Sequence, residues 1–490
     1  MDFEFEAVIG LEVHCQLATH TKIFCSCRAR LSDETTVANI QVNSNTCPIC
    51  AGHPGTLPVL NRKVVEYGIR VGLATHCQIN QSPVFARKNY FYPDLPKGYQ
   101  ITQFDQPLCE NGWLLVENGD VSRTVRIQRI HLEEDAGKSV HRTGFSLVNL
   151  NRAGVPLIEI VSEPDMKTPQ EAGAYLRTLH SLVVYLEISD GNMQEGNFRC
   201  DANVSVMRHG SSQLGIRTEI KNLNSFRFIE KAIEYEISRQ VEVIRSGVGV
   251  IQETRGYDSS KNSTFPMRSK EQAHDYRYFP DPDLLPVKID SDWIEKIRHS
   301  LPELPDQKRA RLMNVLGLSL SDAELLISSK FLVEFFDEVV QKSLLVGVEL
   351  QCFSKAAANW MLSEVMRLRK EDNIELWQSQ LRAFHIVDLV RLVQKQSLSH
   401  IQAKQVICIA WKTGQDVSSI VDQEGLKQWN DLSLLEPLMD EVIRDFPRQV
   451  AEYRAGKDKL LGFFIGRVMK KTNGMANPPL LGELLRKKLM

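Results

Sequence analysis

Apolar residues at every second position near the start of the chain leave the backbone one choice. In Ala7-Val8-Ile9-Gly10-Leu11-Glu12-Val13-His14-Cys15-Gln16-Leu17, the residues Ile9, Leu11, Val13, Cys15 and Leu17 share one face of a strand. Gly10, Glu12, His14 and Gln16 share the other. The first face belongs in a core. The second sets a carboxylate, an imidazole and an amide in a row, with room beside them at the glycine. Such a row either holds a hard divalent cation, does proton transfer, or is the wet side of an ordinary half-buried strand. The rest of the chain decides between these.

With 490 residues the chain exceeds one core, and roughly two to four domains are expected. Hydrophobic residues at 43% and charged residues at 24% are those of a soluble globular protein. A net charge of -2 means that any nucleic-acid binding must use local patches. No run is long enough for a membrane span, and Met1-Asp2-Phe3-Glu4 is acidic, without the apolar core of a signal peptide. The expected compartment is the cytoplasm. There the ten cysteines read as free thiols and metal ligands. Cys25-Ser26-Cys27 and Cys47-Pro48-Ile49-Cys50 form two close pairs about a loop apart, the pattern of a four-thiolate zinc site, closed and therefore structural. The first pair is one residue short, which leaves His53 as a substitute ligand. The alternative is a set of buried free thiols.

Leu60 to Ala74 has the spacing of an amphipathic helix. Arg87 to Tyr99 interleaves basic and aromatic residues with prolines, which suits phosphate pairing and base stacking or a stiff loop with buried tyrosines. Strands are predicted around Trp113–Val116 and Thr124–Leu132. The second enters Glu133-Glu134-Asp135-Ala136-Gly137-Lys138-Ser139, which is no phosphate-binding loop, since the required upstream glycine is Leu132. The three acids read as a magnesium site or a solvated turn, and Glu134 faces away from Glu133 and Asp135. Glu159 lies between Leu157-Ile158 and Ile160-Val161, where an unpaired carboxylate is costly to bury. A helix opens at Thr168-Pro169-Gln170-Glu171 and runs to about Glu187. Arg199, Asp201, Asn203 and Ser205 share one strand face, and Arg217 to Asn222 alternates likewise, as the floor of a wet, charged cleft would. Ser225 or Asn224 caps a helix through about Ser246, and Gly256 to Pro286 reads as a loop closing the first domain. From Trp293 onward the spacing is helical, with a shift near Leu398-Ser399. The tail carries Arg467, Lys470, Lys471, Arg486, Lys487 and Lys488, a positive patch suited to phosphates or simply solvated helix faces.

Gly10-Leu11-Glu12-Val13-His14, Lys88 to Pro96, Gln100 to Pro107, His131 to Ser139, Asn151 to Pro164, Arg199 to Ser205, Glu219 to Phe226 and Gly462 to Pro478 together resemble the B-type subunits of the bacterial aspartyl/glutamyl-tRNA amidotransferases, the GatB/GatE family. The resemblance covers essentially the whole chain. Asn149 departs from it, standing where the family usually has Asp, and the paired cysteines are not universal there. The resemblance implies an α+β protein. Residues 1–292 would form a catalytic cradle domain with a mixed, largely antiparallel sheet and a zinc-binding insertion at about 25–50. Residues 293–398 would be a helical domain and 399–490 a helical tRNA-binding tail. It also implies a ligase using ATP and Mg2+ that phosphorylates the side chain of Glu-tRNA(Gln) or Asp-tRNA(Asn) and then amidates it, while structural Zn2+ is expected from the paired cysteines of this sequence itself. His14, Glu134 and Glu159 look like magnesium ligands, Glu12 like the residue that orients the metal or the attacking group, and Asp201 and Glu133 like supporting acids. Lys88, Arg199 and Lys221 are candidates for phosphate contact. A separate amidase (glutaminase) subunit would supply the ammonia, with a small third subunit completing a heterotrimer. A non-catalytic tRNA-binding scaffold and a metal-dependent hydrolase are the rival readings.

Overall fold

A computed structural model describes residues 4–29, 41–119, 121–269, 275–426, 432–472 and 476–489, so residues 30–40 of the cysteine insertion and 473–475 of the tail motif lie outside it. The alternating stretch is β1 (Phe5–Gln16), the middle strand of a nine-stranded sheet. The strands that follow are β2 (Gln78–Ile79), β3 (Ala86–Asn89), β4 (Tyr99–Thr102), β5 (Cys109–Asn118), β6 (Val121–Glu134), β7 (Lys138–Arg142), β8 (Phe145–Asn149) and β9 (Pro156–Ser162). After them come β10 (Phe198–Arg208), β11 (Thr218–Leu223), β12 (Glu253–Asp258), β13 (Ser263–Ser269) and β14 (Phe279–Pro280). The large sheet runs β13-β12-β11-β10-β1-β9-β6-β5-β2, antiparallel except for the β11–β12 pair. β14-β3-β4 form a small sheet whose last strand packs against β6, and β7 and β8 pair as a hairpin.

The odd face of β1 is the core. Ile9, Val13, Cys15 and Leu17 are wholly buried, joined by Ile158, Ile160, Ile130, Ala202 and Ile220 from neighbouring strands. Helices α1 (Arg62–Ala74), α2 (Pro169–Tyr185) and α3 (Phe226–Arg245) cover this face. Each starts at a side chain that satisfies a free backbone N–H: Asn61 for Lys63, Thr168 for Glu171, Ser225 for Phe228. Each fully buried aliphatic side chain of these helices contributes about 1.5–3 kcal/mol.

Two boundaries differ from the sequence reading. Gly256 to Pro286 is not simply a loop: β12, β13 and β14 occupy much of it. Pro266 is tolerated because β13 is an edge strand, and the β12–β13 register shifts beside it. The helical run from Trp293 begins inside the first unit, as α4 (Ser291–His299). Trp293 lies under the Arg62 guanidinium of α1 at 4.7 Å, and Ile297 and Leu304 join the first core. The chain therefore divides into Met1–Leu304 and Pro305–Met490. The second unit is helical from α5 (Pro305–Asn314) to α16 (Pro478–Leu489), and its last helices gather Leu435, Met439, Phe464, Val468 and Leu485 into a core of their own.

Candidate active site

The even face of β1 is where the sheet turns polar. Register places His14 opposite Glu159 of β9 on one side and Arg199 of β10 on the other, and sets His131 of β6 across from Glu159. His14 Nε2 is 3.3 Å from Glu159 Oε2 and 3.9 Å from Glu133 Oε1. His131 Nε2 reaches the same Glu159 oxygen at 3.2 Å and Glu133 Oε2 at 3.7 Å. One ligand atom each from His14, Glu133 and Glu159 falls within 4.8 Å of the others, and the 3.3 and 3.9 Å separations from His14 are ones that a six-coordinate divalent cation with bonds of about 2.1 Å can bridge. Burial pulls both imidazoles toward neutrality, but the Glu159 carboxylate outweighs it and raises both, His131 to about 9. Burial would lift the Glu159 carboxyl, and the two imidazoles hold it well below the usual range instead. Thr102 Oγ1 donates to Glu133 Oε2 at 3.3 Å, so the small sheet helps to aim that carboxylate.

A second row of acids begins one pleat away. Glu12 lies opposite Asp201, and Asn203 opposite Glu219. Lys221 Nζ sits between Asp201 at 2.9 Å and Glu219 at 3.0 Å. Asn203 donates to Glu12 at 2.9 Å, and Thr254 to Glu219 at 3.0 Å. Burial, then Glu159, pushes the Glu12 carboxyl up, while the acids beside Lys221 outweigh its burial and hold it firmly charged. Beyond this row a cavity of about 380 Å3 opens over Gly10, Glu12, Arg129, Asn203, Ser205 and Arg217. The Arg129 Nε in its wall is buried without a hydrogen-bond partner among the described residues.

Residues 7–295 match the family model described as the GatB/GatE catalytic domain, and residues 327–489 match that of the GatB domain. The chain belongs to the GatB/GatE family. Proteins named as the B subunit of aspartyl/glutamyl-tRNA(Asn/Gln) amidotransferase are similar along the whole length. That of Geotalea uraniireducens is 52% identical over 491 residues, and that of Geotalea daltonii 51% over 491, each covering 99% of both chains. That of Syntrophotalea carbinolica is 49% identical over 490 residues, 100% of this chain and 99% of its own.

In this GatB-family chain, His14, Glu159, Glu12, Glu133, Asp201 and Lys221 come together on the even face. Glu133 stands where Glu134 was expected as a metal ligand. Glu134 points to the opposite face, held by the Lys97 ammonium and by the Ile101 N–H at 2.9 Å, because adjacent strand residues alternate sides. Asp135 is taken up by Arg152 at 2.5 Å and by Arg199 at 3.3 Å. Lys88 faces the site from β3, its ammonium 4.9 Å from the Tyr276 ring and kept charged against burial by Glu133. His131 and Glu219 were not singled out as site residues, though their parity with Glu133 and Lys221 was the available signal. Asn149 accepts from the Asn151 N–H at 3.0 Å, a turn contact that an aspartate oxygen makes equally well. In the tail, Arg467, Lys470, Arg486 and Lys487 are exposed. Arg467 also stacks 4.9 Å over Phe446, and Lys471 pairs with Glu441 at 2.8 Å and Lys488 with Asp440 at 2.6 Å.

The four paired cysteines converge. Cys50 Sγ lies 3.9 Å from Cys27 Sγ and 3.9 Å from Cys47 Sγ, and all four sulfurs fall within 4.8 Å. A tetrahedral zinc with bonds of about 2.3 Å needs sulfurs about 3.8 Å apart, so the donor set fits that metal. His53 is exposed and not among the four. Lys22, wholly buried, points its ammonium at Cys50 Sγ (3.5 Å) and at the Asn45 carbonyl (3.0 Å). A hydrogen bond from Cys25, with Lys22 nearby, holds the Cys50 thiol below its usual range, which favours metal binding there.

Proposed function

We propose that this chain is the activating subunit of a tRNA-dependent amidotransferase. With ATP it phosphorylates the side-chain carboxylate of Glu on tRNA(Gln), of Asp on tRNA(Asn), or of both. Ammonia then displaces the phosphate, which makes the reaction a carbon–nitrogen ligation with glutamine as amido donor. One observation carries this reading: a cation group, a lysine-bridged acid row and a cavity lie side by side on one polar sheet face. A carboxylate is a poor acylating agent until phosphorylated, and phosphoryl transfer depends on positioning and charge neutralisation.

A bound Mg2+ supplies that neutralisation, and His14, Glu133 and Glu159 are the residues to hold it. His131 and Thr102 keep the two carboxylates aimed. Lys221, Arg199 and Lys88 offer positive charge to the nucleotide phosphates, and the cavity at Gly10, Arg129 and Arg217 takes the nucleoside end. The substrate carboxylate oxygen attacks the γ-phosphorus and ADP leaves. The ammonia nitrogen then bonds to the acyl carbon as the carbon–oxygen bond to phosphate breaks. Glu12, with its raised affinity for a proton, is placed to accept one from that nitrogen.

Free ammonia is mostly protonated at neutral pH, which favours a source close by: a partner amidase (glutaminase), tied in by a small third subunit to make a heterotrimer. The cysteine centre takes structural zinc. Residues 305–398 and 399–490 serve as helical and tail domains that grip the tRNA, the latter through Arg467, Lys470, Arg486 and Lys487. The cytoplasm, where tRNA is charged, is the compartment.

The full chain assembled with its two partner subunits is expected to form ADP and amide in step, and only with misacylated tRNA present. Supplying both misacylated tRNAs separately identifies the substrate. Phosphate release without charged tRNA would favour a hydrolase instead.

A further inference from the structure

The cysteine centre grips the very strands that carry the cation carboxylates. Asn43 and Asn45, which precede Cys47, clamp the turn that enters β9. Asn43 Nδ2 donates to the Val148 carbonyl at 3.1 Å, and the Leu150 N–H to Asn43 Oδ1 at 2.6 Å. The Asn45 N–H donates to Asn151 Oδ1 at 2.9 Å, and Asn151 Nδ2 returns a bond to the Gln41 carbonyl at 3.1 Å. Ile23 N–H donates to the Gly154 carbonyl at 3.0 Å from the other cysteine arm. Glu159 follows five residues later. Gly154, at φ +80°, is the packing point: a Cβ there would lie 3.5 Å from Cys50 Cβ, 3.6 Å from Lys22 Cδ and 4.0 Å from Glu134 Oε2.

A second grip runs to β6. Gly52, just past Cys50, lies so close to Pro96-Lys97 that a Cβ would come within 2.9 Å of Lys97 N. Lys97 pairs with Glu134, the neighbour of Glu133, and Gln100 Nε2 donates to the Glu134 carbonyl at 2.8 Å. Lys22 ties this module to its sulfurs. A wholly buried ammonium is costly without polar partners, and the Cys50 sulfur and the Asn45 carbonyl are the ones it has.

We propose that metal loading of the Cys25–Cys27–Cys47–Cys50 centre sets the affinity of the His14–Glu133–Glu159 group for its divalent cation. The link is mechanical, through the 148–155 turn to Glu159 and through Lys97–Glu134 to Glu133. Residues that only orient ligands commonly change metal affinity roughly 10- to 100-fold. The inference rests on the cation reading of His14, Glu133 and Glu159, and the test separates the two.

Mn2+ is the probe, because carboxylate and imidazole accept it while thiolates favour zinc. Its binding to the full-length chain is followed by loss of the free-ion electron paramagnetic resonance signal. The expected result is about 10-fold weaker Mn2+ binding after zinc is stripped under reducing conditions, with circular dichroism unchanged and affinity restored by one equivalent of zinc. Asn151→Ala, which cuts the clamp, should keep its zinc and bind Mn2+ several-fold more weakly. Equal Mn2+ affinity in folded zinc-loaded and zinc-free protein would overturn the proposal. If the stripped chain unfolds, a zinc-bearing Asn151→Ala variant with unchanged Mn2+ affinity overturns it equally. Mn2+ binding indifferent to Glu159→Gln would remove the cation reading and the inference together.

Discussion

Glu159→Gln is expected to reduce amide formation by at least about 1,000-fold in the assembled enzyme, with Mn2+ affinity of the chain falling about 100-fold. The substitution keeps shape and removes one charge. That charge is the shared contact of His14 and His131, both on Glu159 Oε2, and the only carboxylate of the cation group that enters from β9. The amide oxygen of Gln is a weaker ligand for a hard cation and cannot hold both imidazoles as a carboxylate does. The partner's release of ammonia from glutamine should continue, so glutamine hydrolysis and amide formation separate. A scaffold role for this chain predicts that amide formation survives. Steady-state rates with misacylated tRNA, beside glutamate release, read the difference.

Gly10→Val should raise the KM for ATP at least about 10-fold while leaving Mn2+ binding and zinc content unchanged. A Cβ at Gly10 meets Pro164 at 3.7 Å, an ordinary contact, so the strand accommodates it. Valine also suits a strand, and Gly10 lines the 380 Å3 cavity together with Glu12, Arg129 and Arg217, so added methyls reduce the room there. Gly10→Ala adds less bulk and should show a smaller effect. Nucleotide affinity measured with a fluorescent ATP analogue checks this; affinity unchanged in Gly10→Val would move the nucleoside end elsewhere on the face and leave the cation group standing.

Much of this site was legible in strand parity. Period-two alternation put Glu12 and His14 on one face of β1, and the same parity separated Glu134 from Glu133. The resemblance nonetheless pointed to Glu134 as the ligand. Only the register of β6 against β9 shows which carboxylate meets Glu159, and register is long-range information that local pattern does not carry. His131 escapes a sequence reading for the same reason: it sits between Ile130 and Leu132 and becomes informative only when Glu159 arrives opposite. Lys97 and Lys22 are further cases. The half-buried Lys97 and the wholly buried Lys22 look like any surface lysine until their partners are found. In the helical part, the spacing announced helices without their exact breaks, and Trp293 lies in one that starts at Ser291 and packs against α1 through Arg62, a contact between distant parts of the chain that shifts the unit boundary to Leu304. The Cys-x-Cys pair, short by one residue, still joins the thiolate group, within a turn whose ends pair at Thr21 and Arg28.

Activation of a side-chain carboxylate by phosphorylation on the polar face can be followed atom by atom. The substrate is misacylated tRNA carrying 18O in the side-chain carboxylate, given to the assembled enzyme with ATP and glutamine. The mass of the inorganic phosphate released is the readout. Transfer of one 18O into phosphate for each amide formed is the predicted result, since the attacking carboxylate oxygen leaves with the phosphoryl group. Amide formed with phosphate free of 18O would contradict phosphorylation of the carboxylate.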